Sequence, residues 1–274
     1  MERGLNSMEL DLEICRAIAI RYGLPLQFVF KEFHLMDVIS QIATLTIAEP
    51  DSLVFKGGTA LNKVYFQKMQ RFSEDADFDL VAENAKKELR VFSRKLADGI
   101  KGYRIGEFRM VHSTMQFYCA YDTPLGETDN VRIDIAPKKL LTAKPLENRQ
   151  IASEFTHSSI SSIRIYSIED LTARKLNALA TREEGKDLYD VNMALPMCSK
   201  HVLKAAIGLM LESEIVDETV GMFMQKTIAR LEKRDSGKMR NLTNLFIPVA
   251  NRPKNWEELK NDLSVKLEDM LNAS

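Results

Sequence analysis

The sequence predicts an α+β fold in which a strand-rich part is followed by a helical part. Short apolar or alternating runs, typical of strands, lie at 53–55, 75–81, 103–110, 114–121, 130–137 and 160–165. From Ser167 onward, the apolar residues have helical spacing almost to the end. We therefore expect a domain boundary near residue 166, with residues 1–166 forming an α+β domain and residues 167–274 a helical domain.

Helices are also predicted within the first part. Residues 8–50 have helical spacing, with Gly23 and Pro25 dividing the segment into two helices. The short strand at 53–55 leads through a glycine turn into a helix over 60–66. Residues 83–100 predict an amphipathic helix with a charged outer face. The first part thus alternates helices with strands.

Composition limits the classes of function. The 274 residues are 45% hydrophobic and 28% charged, and 38 basic against 39 acidic residues leave a net charge of -1. A nucleic-acid surface would therefore be a local patch. The three cysteines and four histidines are scattered, which indicates neither a disulfide framework, nor a zinc site, nor a hydrolase triad. The sequence contains no run of 18 consecutive apolar residues, so it predicts no membrane-spanning helix. We expect a cytoplasmic protein.

Carboxylates occupy alternate positions of the predicted strand at 75–81. Asp75, Asp77 and Asp79 would share one strand face while Ala76 and Phe78 point to the core. Two such carboxylates can share a hard divalent ion, and Mg²⁺ favours this arrangement with substrate phosphates completing its shell. Alternatively, charges on an exposed edge strand discourage aggregation. At the far end of the strand, Asp79 is expected to orient a neighbouring basic residue.

A further acid, Asp134, lies between apolar residues in "VRIDIAP". Together with Asp75 and Asp77 on a neighbouring strand, it would suit two-metal phosphoryl or nucleotidyl transfer, as general base or as a metal ligand. This interpretation requires residues 130–136 to pair beside residues 75–81.

The turn before these acids has the composition of an anion site. Gly57 and Gly58 let the backbone approach a ligand, and the following helix start favours anions. Thr59 could donate its hydroxyl to a phosphate oxygen or cap the helix. Arg71 could pair with Asp75 or contact a substrate phosphate; both alternatives stay open.

The segments "KGGTALNKVYF" and "RFSEDADFDL" together resemble the signature of the AbiEii-type nucleotidyltransferase toxins, a branch of the polymerase-β-like superfamily. The resemblance implies a mixed sheet with flanking helices. It also implies that Gly57, Gly58 and Thr59 hold a nucleoside triphosphate and that Asp75 and Asp77 carry Mg²⁺.

A second segment, "IEDLTARKLNALATREEGKDLYDV", resembles the later motifs of this family: a helical lysine, an arginine and then R-D-x-x-D. Lys175 and Arg182 are seven residues apart and should share a helix face. Gly185 could end that helix, with Asp187 in the first turn of the next. The resemblance implies that Lys175 and Asp187 are catalytic and that Arg182 binds substrate. Lys186 replaces the usual arginine, which keeps the charge and loses a bidentate contact.

The resemblance implies a toxin of a type IV-like toxin–antitoxin or abortive-infection system that moves a nucleoside monophosphate from an NTP to RNA, with the tRNA 3′ end as acceptor. A cognate antitoxin is the implied partner. A protein or small-molecule acceptor and a non-catalytic nucleotide-binding scaffold are the alternatives. The position of the basic residues between 233 and 254 distinguishes an RNA acceptor from a small acceptor, because these residues favour RNA only if they line the active cleft.

Overall fold

A computed structural model describes residues 9–47 and 53–272, and these residues form an eight-stranded mixed sheet with flanking helices. The strands are β1 (Leu53–Lys56), β2 (Asp75–Leu80), β3 (Arg104–Ile105), β4 (Arg109–Val111), β5 (Thr114–Asp122), β6 (Thr128–Pro137), β7 (Glu147–Ala152) and β8 (Ser159–Ile165). Their order is β3-β5-β6-β2-β1-β8-β7, and β4 pairs with β5. The α+β class is confirmed.

Helices precede, cover and follow the sheet. Those of the first part are α1 (Leu12–Tyr22), α2 (Leu26–Leu45), α3 (Gly57–Leu61, continued by a π-helical turn to Phe66) and α4 (Ala85–Gly99). Those of the second part are α5 (Ile168–Thr181), α6 (Gly185–Ala194), α7 (Lys200–Ser213), α8 (Val220–Glu232), α9 (Ser236–Thr243) and α10 (Trp256–Asn272). No helix among the described residues combines the length and apolar character needed to span a bilayer.

Two hydrophobic clusters correspond to the two parts. The first packs α2 and α4 against one face of the sheet, with Phe55, Phe78 and Phe117 fully or almost fully buried. The second lies among α5–α10 and includes Trp256. The division near residue 166 coincides with the passage from β8 to α5, although independent folding of the two parts stays a prediction.

Strand register builds a polar surface on the other face of the sheet. Strands β2 and β6 run parallel as neighbours, with Asp77 opposite Asp134 and Asp75 opposite Arg132. The alternating residues Phe78 and Ile133 are buried in the core. The expected pairing of the two acidic strands is therefore confirmed.

Two strand predictions differ from the structure. The run at 103–110 forms two short strands, β3 and β4, because its pairing with β5 shifts by one residue between Ile105, opposite Cys119, and Arg109, opposite Gln116. Strand β7 was missed because "ENRQIA" is an edge strand on which only Ile151 is buried, so it has no apolar alternation.

The helix boundary around Gly185 also differs. Helix α5 ends at Thr181, so Arg182 caps it instead of lying on it, and Gly185 begins α6 instead of ending α5. A Cβ at Gly185 would lie 2.5 Å from Oγ1 of Thr243 and 2.8 Å from the carbonyl oxygen of Met239. The glycine is thus required by the close approach of α9.

We predict opposite effects for alanine at two helical glycines. Gly185→Ala should lower the free energy of unfolding by about 1–3 kcal/mol, because the added methyl group overpacks the contact with α9. In Gly208→Ala the new methyl group would meet its nearest atom at 3.6 Å, so improved helix propensity should raise stability by about 0.5–1 kcal/mol. Urea unfolding measures both changes. Equal effects would contradict the packing described for α6 and α9.

Candidate active site

A cavity of about 720 Å³ opens on the polar face of the sheet, beside α5. Nine of the ten predicted catalytic and binding residues line it: Gly57, Gly58, Thr59, Arg71, Asp75, Asp77, Asp134, Lys175 and Arg182. The remaining one, Asp187, is fully buried behind the wall. The structure thus collects both halves of the predicted site around one cavity.

A cation that sequence reasoning missed lies among the carboxylates. The Nη2 atom of Arg132 is 2.5 Å from Oδ2 of Asp75, and its Nε is 3.4 Å from Oδ1 of Asp134. Gln116 donates to Oδ2 of Asp134 at 3.3 Å. The signal was available, because Arg132 alternates with Asp134 on β6 and therefore shares its strand face.

Crowding of the acids changes their ionisation. Burial at the cavity floor and the charge of Asp75 raise the pKa of Asp77 to about 7, and the nearby charge of Lys56 opposes this shift. Burial also raises the pKa of Asp134, against the opposing charge of Arg132. Both carboxylates would be more stable as anions beside an additional cation.

The donor chemistry of the acids fits a hard divalent cation. Asp77 has a raised pKa, and Oδ1 of Asp134 accepts no hydrogen bond from the described residues. However, no three His, Cys, Asp or Glu side chains of residues 9–47 and 53–272 are arranged to hold a metal ion together. The predicted three-ligand site of Asp75, Asp77 and Asp134 is therefore not formed in this arrangement, in which Arg132 occupies two of the three acids.

Glycine is required at both positions of the turn. Gly57 has a φ of +79°, and a Cβ there would lie 2.2 Å from Oδ2 of Asp77. At Gly58 a Cβ would lie 2.5 Å from Nη2 of Arg71 and 3.2 Å from Nζ of Lys175. The turn therefore brings the backbone against both the acids and the cations of the cavity.

Thr59 has a different contact from either predicted one. It is fully buried, and its hydroxyl donates to the backbone carbonyl of Asp75 at 2.5 Å. The hydroxyl therefore neither caps the helix nor points at a ligand in this structure. It fixes the start of α3 against the start of β2, which holds the acid pair in register with the turn.

Arg71 also has a partner that the sequence did not indicate. Its Nε and Nη2 atoms donate to the two carboxylate oxygens of Asp190 at 2.8 and 2.6 Å, so its ion pair is with Asp190 and not with Asp75; contact with a substrate phosphate stays a prediction. Asn62 donates to the same carboxylate at 3.2 Å. Asp190 is the last acid of the R-D-x-x-D motif, and that position was the signal that could have identified it.

The cations on the cavity wall are held from behind by buried acids. Lys175 lines the cavity, and its Nζ lies 2.8 Å from Oδ1 of Asp187 and 3.0 Å from Oδ2 of Asp190. Arg182 makes a bidentate contact with Asp187 at 2.7 and 3.0 Å. Although burial alone would raise the pKa of Asp187, Lys175 and Arg182 lower it to about 2. Asp187 thus holds both cations from behind the cavity wall, and a catalytic role for it stays a prediction.

Asp79 orients a basic residue, as expected. Its Oδ1 lies 2.5 Å from Nζ of Lys56, and its Oδ2 accepts a hydrogen bond from the hydroxyl of Tyr166 at 2.7 Å. Lys56 lines the cavity and is a further functional candidate that sequence reasoning missed.

The basic segment between residues 233 and 254 does not line the cavity. Arg234 donates to the carbonyl of Leu179, and Arg252 donates to the carbonyls of Ile247 and Gly23, so two of its cations serve the fold. The segment thus gives no support to an RNA acceptor.

Comparisons with known proteins place this geometry in a family. A family model described as "Nucleotidyl transferase AbiEii toxin, Type IV TA system" matches residues 44–269. Among solved structures, the chain is similar to the nucleotidyltransferase toxin MenT4 from Mycobacterium tuberculosis H37Rv at 18% identity and a TM-score of 0.72, over 97% of this chain and 91% of that chain. An antigenic nucleotidyltransferase-like protein from Paracoccidioides brasiliensis matches at 14% identity and a TM-score of 0.38, over 65% of this chain and 87% of that chain. A comparison with curated proteins finds no match.

We predict that Gly57→Ala destabilises the protein more than Gly126→Ala. Both glycines have positive φ, +79° and +80°, so both variants incur about 1–2 kcal/mol of backbone strain. Only at Gly57 would the methyl group collide with Asp77, whereas Gly126 has no atom within 4 Å of the new Cβ. Urea unfolding should therefore show a larger loss for Gly57→Ala. Equal losses would mean that Gly57 and Asp77 are not in contact.

The raised pKa of Asp77 predicts a pH effect on the metal-free protein. Between pH 3.8 and about 7, this group binds more protons in the folded than in the unfolded state, so its contribution to stability falls as pH rises through that window. With a chelator present, we therefore expect the free energy of unfolding of the wild type minus that of Asp77→Asn to decrease from pH 4 to pH 7. A difference independent of pH would contradict the crowding of Asp75 and Asp77.

Proposed function

The chain belongs to the AbiEii family of nucleotidyl transferase toxins of type IV toxin–antitoxin systems, and we propose that it moves a nucleoside monophosphate from an NTP to the 3′ end of tRNA with Mg²⁺. Three carboxylates beside a glycine turn on one cavity carry this proposal. Family membership supports a cognate antitoxin as partner. Because NTPs and tRNA are cytoplasmic, we propose the same compartment.

The cations of the wall are suited to the triphosphate. Gly57 and Gly58 bring the backbone close to the cavity, while Lys175 and Arg182 add fixed positive charge. Side-chain entropy is already lost in these two cations, because Asp187 holds both of them before any substrate arrives. The side chain of Arg182 is 51% exposed, so its guanidinium can still accept a phosphate contact.

The acids are suited to the metal and to the acceptor hydroxyl. Asp75 and Asp77 would hold Mg²⁺, which would supply positive charge to offset the negative charge that develops on the substrate phosphates. Oδ1 of Asp134 accepts no hydrogen bond from the described residues and would take the proton of the acceptor hydroxyl. The hydroxyl oxygen then bonds to the α-phosphorus, and the bond from that phosphorus to the pyrophosphate oxygen breaks.

A protein side chain or a small molecule is the second candidate acceptor. The observation that favours it is the position of the basic segment, whose six cations do not line the cavity. The cavity has its own cations, however, including Lys31, Lys138 and Lys186, and these could contact an RNA backbone. A non-catalytic scaffold would have no need to keep three acids and their counter-ions.

The deciding experiment is incubation of the protein with each α-labelled NTP, Mg²⁺ and total RNA, followed by electrophoresis. We expect label in a band of tRNA size and none when Mg²⁺ is chelated. Label on protein alone would support the second acceptor. NTP binding without transfer to any acceptor would support the scaffold.

We predict that Asp77→Ala abolishes transfer and relieves growth arrest on expression, because one of the two proposed metal ligands is lost. The fold should persist, and circular dichroism checks this. Asp217→Ala is the matched control, since Asp217 is an exposed loop residue outside the cavity, and it should retain full activity. A folded Asp77→Ala with wild-type activity would rule out the proposed metal site.

Asp134→Asn tests the general base separately. The amide keeps the size of the side chain and cannot take a proton, so the single-turnover rate should fall about 10²–10⁴-fold while NTP binding stays unchanged. Rates are measured by quenched flow, and NTP binding by titration calorimetry. A variant as fast as the wild type would return Asp134 to a structural role.

A further inference from the structure

Among the described residues, one aromatic ring lines the cavity, and neither the fold nor the proposed chemistry explains it. Tyr118 on β5 lies opposite Arg132 on β6, which lies opposite Asp75 on β2, so these three residues form one row across the polar face. The neighbouring row contains Gln116, Asp134 and Asp77. Tyr118 is therefore one strand away from the proposed general base.

Within the described part of the chain, Tyr118 stacks on no other aromatic ring and its hydroxyl makes no hydrogen bond. Its interaction there is electrostatic, with its cross-strand neighbour Arg132. By contrast, Tyr121, on the opposite face of the same strand, stacks on His34 at 3.6 Å and donates to Asp129. Tyr121 is explained by the core, whereas Tyr118 is half-buried and faces the cavity.

The position of Tyr118 separates it from the phosphate-binding wall. The glycine turn and α5 lie on the β1 side of the acid pair, whereas Tyr118 lies on the β5 side, beyond Asp134. If the triphosphate is bound beside Lys175, the ligand that approaches Asp134 from β5 is the acceptor. A flat ring at that place can stack on a nucleobase, because every base presents a π-face.

Two further polar residues line the same cavity. Asn130 is two positions before Arg132 on the same face of β6, and Lys31 reaches the cavity from α2, where it pairs with Asp129 at 3.0 Å. An amide can bond a base edge, and an ammonium can contact a backbone phosphate. Ring, amide and cation are thus grouped on the acceptor side.

We propose that Tyr118, with Asn130 and Lys31, forms an acceptor subsite in which Tyr118 stacks on the terminal base of a single-stranded RNA 3′ end. This inference rests on the proposed function, since it names where the RNA acceptor binds. It assigns Tyr118 a role in acceptor affinity and none in NTP binding.

A double-mutant cycle on RNA binding tests the subsite without turnover. A fluorescein-labelled RNA ending in a single-stranded 3′ CCA is compared with the same RNA lacking its last base, each against wild type and Tyr118→Leu. Binding is followed by anisotropy at fixed salt with Mg²⁺ and no NTP. Tyr118→Phe keeps the ring and is the matched control, and thermal unfolding checks that all variants are folded.

We expect Tyr118→Leu to weaken binding of the intact RNA about 5- to 150-fold, the range found for the loss of one stacked base. Removing the last base of the RNA should weaken its binding to the wild type by a similar factor. Tyr118→Leu and the shortened RNA together should lose no more affinity than either change alone. Tyr118→Phe should bind as the wild type does. Additive losses, or no binding of either RNA, would overturn the inference.

The same cycle separates the two claims. If the two losses of affinity are non-additive but no label is transferred to RNA in the transfer assay, Tyr118 is the RNA-stacking residue and the proposed function fails. If label is transferred but the losses are additive, the proposed function stands and Tyr118 is not the stacking residue. The dissociation constant of the NTP should be unchanged in Tyr118→Leu, because the ring lies away from the triphosphate wall.

Discussion

Electrostatic balance on one sheet face is the constraint on which the rest of the structure depends. Asp75, Asp77 and Asp134 are crowded because β2 and β6 are parallel neighbours in register, and burial together with the charge of Asp75 raises the pKa of Asp77 to about 7. In this arrangement the positive charge comes from Arg132 and Lys56. A divalent cation bound by the acids would compete with Arg132 for Asp75, so the site already contains a cation where its cofactor is expected.

A second, buried network fixes the cavity wall to its floor. Asp190 is contacted by Arg71 and Lys175, which joins the segment after α3 to α5 and α6. All three side chains are buried, and loss of one partner of such a buried pair costs about 3–5 kcal/mol because a charge is left without compensation. In the R-D-x-x-D motif, Asp190 thus binds Arg71 and Lys175, and Asp187 binds Lys175 and Arg182, so both acids hold cations that line the cavity.

The sequence predicted the parts of the site that follow from side-chain alternation along a strand and from the glycine turn. It missed the contacts between residues that are far apart in the chain. The face shared by Asp75, Asp77 and Asp134 followed from a period of two. In contrast, the partner of Arg71 is 119 residues away; the family motif marks Asp190 as a candidate, but no local pattern indicates that it pairs with Arg71. Thr59 was assigned to a ligand because its side chain can cap or bind, while the fold uses the hydroxyl to hold β2. Arg132 shared a predicted face but was not considered as a counter-ion.

The most direct test of this account is anomalous diffraction from crystals grown with Mn²⁺ and a non-hydrolysable NTP. We predict a manganese peak between the carboxylates of Asp75 and Asp77, phosphates beside Gly58 and Lys175, and a guanidinium of Arg132 that has left Asp75. A nucleotide bound elsewhere, or a nucleotide in the cavity with no manganese peak at these carboxylates and Arg132 still on Asp75, would contradict it.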